Sequence, residues 1–180
     1  MISKKYASDY NIEYDENSGG KLKARAVYSG TYYAFKASDS EIKKAALLFS
    51  VLASISWLSF IIPLFVISSA AHSWFIIIPH ACVFIPLIYL SAVAWDLWRV
   101  VPPLTREKSD HISFRAPKAA LFAILFSGIA TAGFPIHLAL HDSLVFPGDF
   151  IFGLCEITLL INSIILFRKK DLIASNPIGS

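Results

Sequence analysis

Residues 45–95 read AALLFSVLASISWLSFIIPLFVISSAAHSWFIIIPHACVFIPLIYLSAVAW, 51 positions without one Asp, Glu, Lys or Arg. A helix needs about 20 apolar residues to cross a hydrocarbon layer ~30 Å thick. The stretch therefore predicts two spans joined by a tight turn near Ser68–Ser73. Residues 119–141 form a second uncharged block, and residues 150–167 a third, interrupted only by Glu156. Each predicts one more span.

The competing reading is a soluble helical bundle, whose helices would each keep a polar stripe at a 3.6-residue period. Leu47–Leu64 is apolar around its whole circumference apart from scattered Ser. Composition agrees with the membrane reading. The chain is 56% hydrophobic and 16% charged, against about 45–50% and 25% in soluble domains. The fold class expected is an all-α integral membrane protein, a four-transmembrane-helix bundle of two helical hairpins. The spans run over roughly 45–68, 74–97, 119–141 and 148–167. With no hydrophobic block before residue 45, no cleavable signal peptide is expected, and the first span would act as the targeting signal.

The cations set the orientation. Of the sixteen Lys and Arg, eight precede the first span, between Lys4 and Lys44. Arg99, Arg106, Lys108, Arg115 and Lys118 lie between spans two and three. Arg168, Lys169 and Lys170 follow span four. Short loops rich in Lys and Arg stay cytoplasmic. The expected topology therefore has both termini inside, in the cell membrane. Trp74 at one end of span two and Trp95 and Trp98 at the other suit interfacial anchoring.

Residues 1–44 form a basic, aromatic cytoplasmic arm, and residues 168–180 a cytoplasmic tail. In the arm Tyr10–Tyr14 and Lys21–Tyr28 alternate in polarity. Gly19-Gly20 and Ser29-Gly30 suit turns, so a β-hairpin is expected, extended to a meander by Thr31–Phe35. The alternative is a flexible tail. Ser38 with Glu41 reads as a capping box opening the first helix, with Asp39 the other cap candidate. Residues 99–118 read as the longest internal loop. Acids at Asp9, Glu13, Asp15 and Glu16 dilute the arm's basic character and argue against nucleic acid. Anionic lipid headgroups are its expected partners.

An ionisable side chain inside hydrocarbon costs about 2.5–3.5 kcal/mol on insertion scales, so each one needs a reason. Glu156 is the clearest case, and Cys155, Thr158, Asn162 and Ser163 extend a polar stripe along the same helix. His80, His137 and His141 fall at related depths, and His137 and His141 share a helix face at i, i+4. Glu156, His80 and His137 are the candidate catalytic or proton-carrying groups. With His141 they are also the candidate ligands for Zn or non-haem iron. No H-E-x-x-H or comparable motif accompanies them, and no cofactor is expected. The plainer readings are an interhelical hydrogen bond for Glu156 and a carbonyl partner for His80 near Pro79.

Asp96 and Arg99, at i, i+3, read as an interfacial ion pair. Gly128 and Ala132 have small-xxx-small spacing and read as a helix-packing or partner face. Cys82 and Cys155 read as buried small residues. Pro63, Pro79, Pro86 and Pro135 predict kinked helices around a small cavity open to the outside. No nucleotide loop, nucleophile elbow or CxxC pair is present. The function expected is an accessory, regulatory or assembly subunit with a membrane-protein partner or a second copy. The alternatives are a small proton- or ion-coupled transporter using Glu156, and a membrane-embedded enzyme built on Glu156, His80 and His137.

Overall fold

The structure, a computed structural model, describes residues 4–16, 22–140 and 145–178. A short 3-10 turn leads to strands β1 (Tyr10–Glu16), β2 (Leu22–Tyr28) and β3 (Tyr33–Phe35). Helix α1 spans Asp39–Ile61, α2 Trp74–Cys82 and α3 Phe84–Arg99. A short α4 (Arg106–Ser109) runs through a wider π turn into α5 (Ala116–Leu140). Helix α6 spans Gly148–Arg168, and β4 is Ser175–Pro177.

Four helical stretches are long and apolar enough to cross a membrane: Asp39–Phe65, Trp74–Arg99, Arg106–Leu140 and Gly148–Arg168. They correspond to the four spans expected, with one correction. The expected loop over 99–118 is mostly helix, and only residues 100–105 connect α3 to α4. Arg106–Arg115 is charged but still helical, so the third helix projects well beyond its apolar block.

The capping box of Ser38 and Glu41 forms at the start of α1, the Ser38 amide donating to Glu41 Oε2 at 2.8 Å. The second long helix breaks between α2 and α3 at Val83. Pro86 explains the position, because its ring cannot coexist with a helical carbonyl four residues earlier, at Cys82. The two halves then serve different neighbours. Helix α2 lies on α5, and α3 mainly on α1. At the α2–α5 contact a Cβ on Gly133 would sit 3.1 Å from Ile76 and Phe75, so the lack of a side chain lets the helices close. At the α1–α3 contact Trp57 Nε1 donates to Ser91 Oγ at 2.8 Å and Trp98 Nε1 to Ser50 Oγ at 2.9 Å.

The interior has three tiers. Phe49, Leu90, Leu97, Ala120 and Leu166 fill the first, Phe60, Val83, Leu87 and Leu159 the second, and Ala70, Ile76, Ala130 and Phe152 the third. Outward positions stay apolar, including Leu58, Ile85, Leu125 and Ile161.

At one end the bundle carries a folded cap. Strands β1 and β2 form the expected antiparallel hairpin, with Tyr10 opposite Tyr28 and Ile12 opposite Ala26. Its Gly19-Gly20 turn lies outside the described residues. The meander does not continue, because β3 pairs with β4 from the C-terminal segment, Phe35 opposite Ser175. Tyr33 and Leu104 exchange backbone hydrogen bonds of 2.9 and 2.8 Å. Buried Tyr6 donates to Asp110 at 2.9 Å, and Lys5 reaches the same carboxylate at 2.7 Å. The segment before α1, the α3–α5 connection and the segment after α6 therefore meet at a single end.

Candidate functional site

Glu156 lies eight residues into α6, about 12 Å along the axis from its start. His80 lies in the last turn of α2, just above the break. The two are 0% and 1% exposed, and His80 Nδ1 meets Glu156 Oε1 directly. The other ring nitrogen, Nε2, donates to the carbonyl oxygen of Phe60 at 3.2 Å. That carbonyl is in the last turn of α1, where a helix leaves its carbonyls without internal donors. Pro63 lengthens the gap by offering no N–H. Phe60 also stacks on the imidazole, centroids 4.7 Å apart and planes 7° from parallel. One histidine thus ties α1, α2 and α6 together.

The hydrogen-bond logic constrains the protons. A carbonyl oxygen only accepts, so Nε2 carries hydrogen. The Nδ1–Oε1 contact then holds one more proton, on one atom or the other. In both arrangements the pair is neutral overall, which permits complete burial. Glu156 Oε2 is also buried and has no hydrogen-bond partner among the described residues. Chemically the pair is able to pass a proton between two groups, and mechanically it is a three-helix clamp.

The polar stripe on α6 resolves residue by residue. Cys155, Asn162 and Ser163 are buried. Asn162 Nδ2 donates to Ser56 Oγ on α1 at 3.3 Å. Thr158 instead turns to the Leu154 carbonyl of its own helix at 2.8 Å.

His137 belongs to a different cluster, at the end of the bundle away from the cap. Its Nδ1 is 2.6 Å from Ser73 Oγ and its Nε2 2.9 Å from Ser69 Oγ. Ser69 donates to Asp149 Oδ2 at 2.7 Å, and Ser68 to Asp149 Oδ1 at 2.6 Å. The amides of Ala70 and Val145 complete the shell of Asp149 at 3.2 and 2.7 Å. Because the Ser69 proton goes to the carboxylate, its oxygen accepts from His137 Nε2–H. In the chain Ser73, His137, Ser69, Asp149, the first two and the last are buried and Ser69 is partly so.

Asp149, Ser68, Ser69 and Ser73 were missed by sequence reasoning. The available signal was an acid in the first turn of a helix, seven residues from Glu156, facing a serine-rich turn. Asp149 and Glu156 are about 10 Å apart along α6, so the two clusters sit at separate levels. His141 lies outside the described residues. Among the described residues no group of three or more His, Cys, Asp and Glu is placed to hold a metal ion.

The other expected contacts are rearranged. Asp96 Oδ2 pairs with His111 Nδ1 at 2.9 Å rather than with Arg99, and Arg99 lies over the Trp95 ring at 4.9 Å. The lengthened third helix brings His111 within reach, which spacing within α3 alone does not reveal. Gly128 faces α6, where a Cβ would find Leu160 at 3.9 Å, while Ala132 is exposed. The tight small-residue contact of α5 lies instead at Ala130 and Gly133. Cys155 is buried, and Cys82 is partly exposed. No protein-family model, curated protein or solved structure matches this chain.

Proposed function

We propose that the chain is a multi-pass membrane protein with both termini in the cytoplasm, serving as an accessory, regulatory or assembly subunit. The observation that carries this reading is the enclosure of the His80–Glu156 pair. Its three engaged polar atoms are spent on contacts within the bundle, and it faces neither solvent nor the outer surface. A sealed clamp suits a scaffold better than a reaction centre. The orientation is supported by the cations: of the sixteen, all that lie among the described residues fall in the segments that meet at the cap or in the helix ends beside it. That end would lie on the cytoplasmic side. The cap is then the surface offered to a membrane-protein partner or a second copy.

The test is solubilisation of tagged full-length protein from native membranes in a mild detergent. A stoichiometric partner, released when Tyr6→Ala and Lys5→Ala loosen the cap, is the expected result. Proton flux in proteoliposomes by the chain alone, abolished by Glu156→Gln, would overturn it. That second result would favour a proton-coupled carrier, for which the specific support is Glu156 Oε2, buried with no partner among the described residues. The enzyme reading needs His137 to join the pair, and its serine partners draw it to the other cluster.

A further inference from the structure

Below the break at Val83 the second long helix moves from α5 to α1, and a groove of about 450 Å³ opens between α3 and α5. Cys82 and Pro86 stand at its head, Tyr89 and Phe122 form its walls, and Arg115 and Lys118 stand at its cap end. Its volume falls in the range of small-molecule sites, about 300–1,000 Å³. Polarity is distributed along its length. Both cations are at one end, and the lining beyond them is apolar.

From Arg115 to Phe126 the groove follows eleven residues of helix, about 16 Å. That is half of a hydrocarbon layer ~30 Å thick, or one leaflet. The cations are also uncommitted. Among the described residues Asp110 is held by Lys5 and Asp96 by His111. Neither Arg115 nor Lys118 forms an ion pair there. Lys118 rests over the Phe114 ring at 4.0 Å, which holds its ammonium beside the groove without neutralising it.

We infer that this groove seats one anionic phospholipid, with its phosphate between Arg115 and Lys118 and one acyl chain running towards Cys82. The site is distinct from the basic arm as a general headgroup contact. It rests on the proposed membrane location. A cation near the headgroup level contributes about fivefold in affinity, so the pair contributes about 25-fold.

The test uses full-length protein in mild detergent, stripped of lipid and titrated with phosphatidylglycerol or phosphatidylcholine. Bound lipid is counted by native mass spectrometry. The expected result is a preference for phosphatidylglycerol of about 25-fold. It should fall to near parity in R115Q/K118Q and persist in K169Q/K170Q, which removes equal charge beside α6. Bound phosphatidylglycerol should also slow maleimide labelling of Cys82 in the unaltered chain, a measurement that decides the matter should the double variant misfold. Equal retention of the two lipids, equal damage from both double variants, or unprotected Cys82 would overturn the inference. So would Cys82–Cys82 cross-links between copies, which would put a second chain in the groove. Protein that stayed monodisperse without detergent would instead refute the membrane location itself.

Discussion

Burying Glu156 is tolerable only because His80 is beside it. Removing one partner of a buried pair strands the other and costs about 3–5 kcal/mol, whereas replacing both by apolar groups is often nearly neutral. Glu156→Ala should therefore lower the unfolding temperature in detergent by about 10 °C, and His80→Leu with Glu156→Leu should recover most of the loss. A single variant melting like wild type would deny the clamp any mechanical role. Gly148 is constrained by approach distance. A Cβ there would lie 1.8 Å from the Ile67 carbonyl oxygen, so Gly148→Ala must displace the 66–73 turn and with it the donors around Asp149. We expect a cost of about 3 kcal/mol, and wild-type thermal stability would show that the turn is free to shift. Glu156 stood out in the sequence as the lone acid of its block. Its partner did not, because three histidines lay at related depths and only packing chooses among them.

Elements differ in how local their causes are. The capping box and the break at Val83, ahead of Pro86, arise from a few adjacent residues; the box is legible from sequence, and the prolines there signal only a kink. The pairing of β3 with β4 joins residues about 140 apart. Turn chemistry at Ser29-Gly30 pointed to a local partner, but β3 is drawn to Leu104 and the C-terminal strand. Truncation after Ala174 removes β4, so the amide of Ala34, opposite Asn176, should exchange at least tenfold faster, about 1.4 kcal/mol of lost protection. Unchanged exchange would mean that β3 is held by Leu104 alone. The cap should also loosen in alkali. The Asp110 carboxylate and the Tyr6 hydroxyl raise the Lys5 ammonium above its ordinary value. Burial raises the Tyr28 phenol, against the opposing Arg106 amide. Groups raised on folding contribute in full below their unfolded values, about pH 10 and 10.4, and lose that contribution as pH climbs through the folded ones. Tyrosine fluorescence should report cap opening above about pH 10 before the helices respond, and a cap unchanged to pH 11 would contradict the linkage.

Across the whole molecule the cap decides the parity of crossings. Segments before α1, between α3 and α5, and after α6 hydrogen-bond to one another, so an even number of helices separates the two termini. In the membrane reading, reporters fused to either end should give the same cytoplasmic signal. Opposite signals from the two fusions would be incompatible with the β3–β4 pairing.

Composition and block length alone determined the number of long apolar helices, because hydrophobicity is a property of each residue wherever it lies. Capping and proline chemistry act within a turn, and the hairpin register of β1 with β2 follows from alternation nearby. Only the tertiary structure decided that His80 rather than His137 meets Glu156, that Asp149 collects two serines and two amides, and that Asp96 takes His111. Those choices depend on the rotation and depth of whole helices, set by small-residue contacts such as Gly133 and by which neighbour each half of the second long helix meets, which no local pattern encodes.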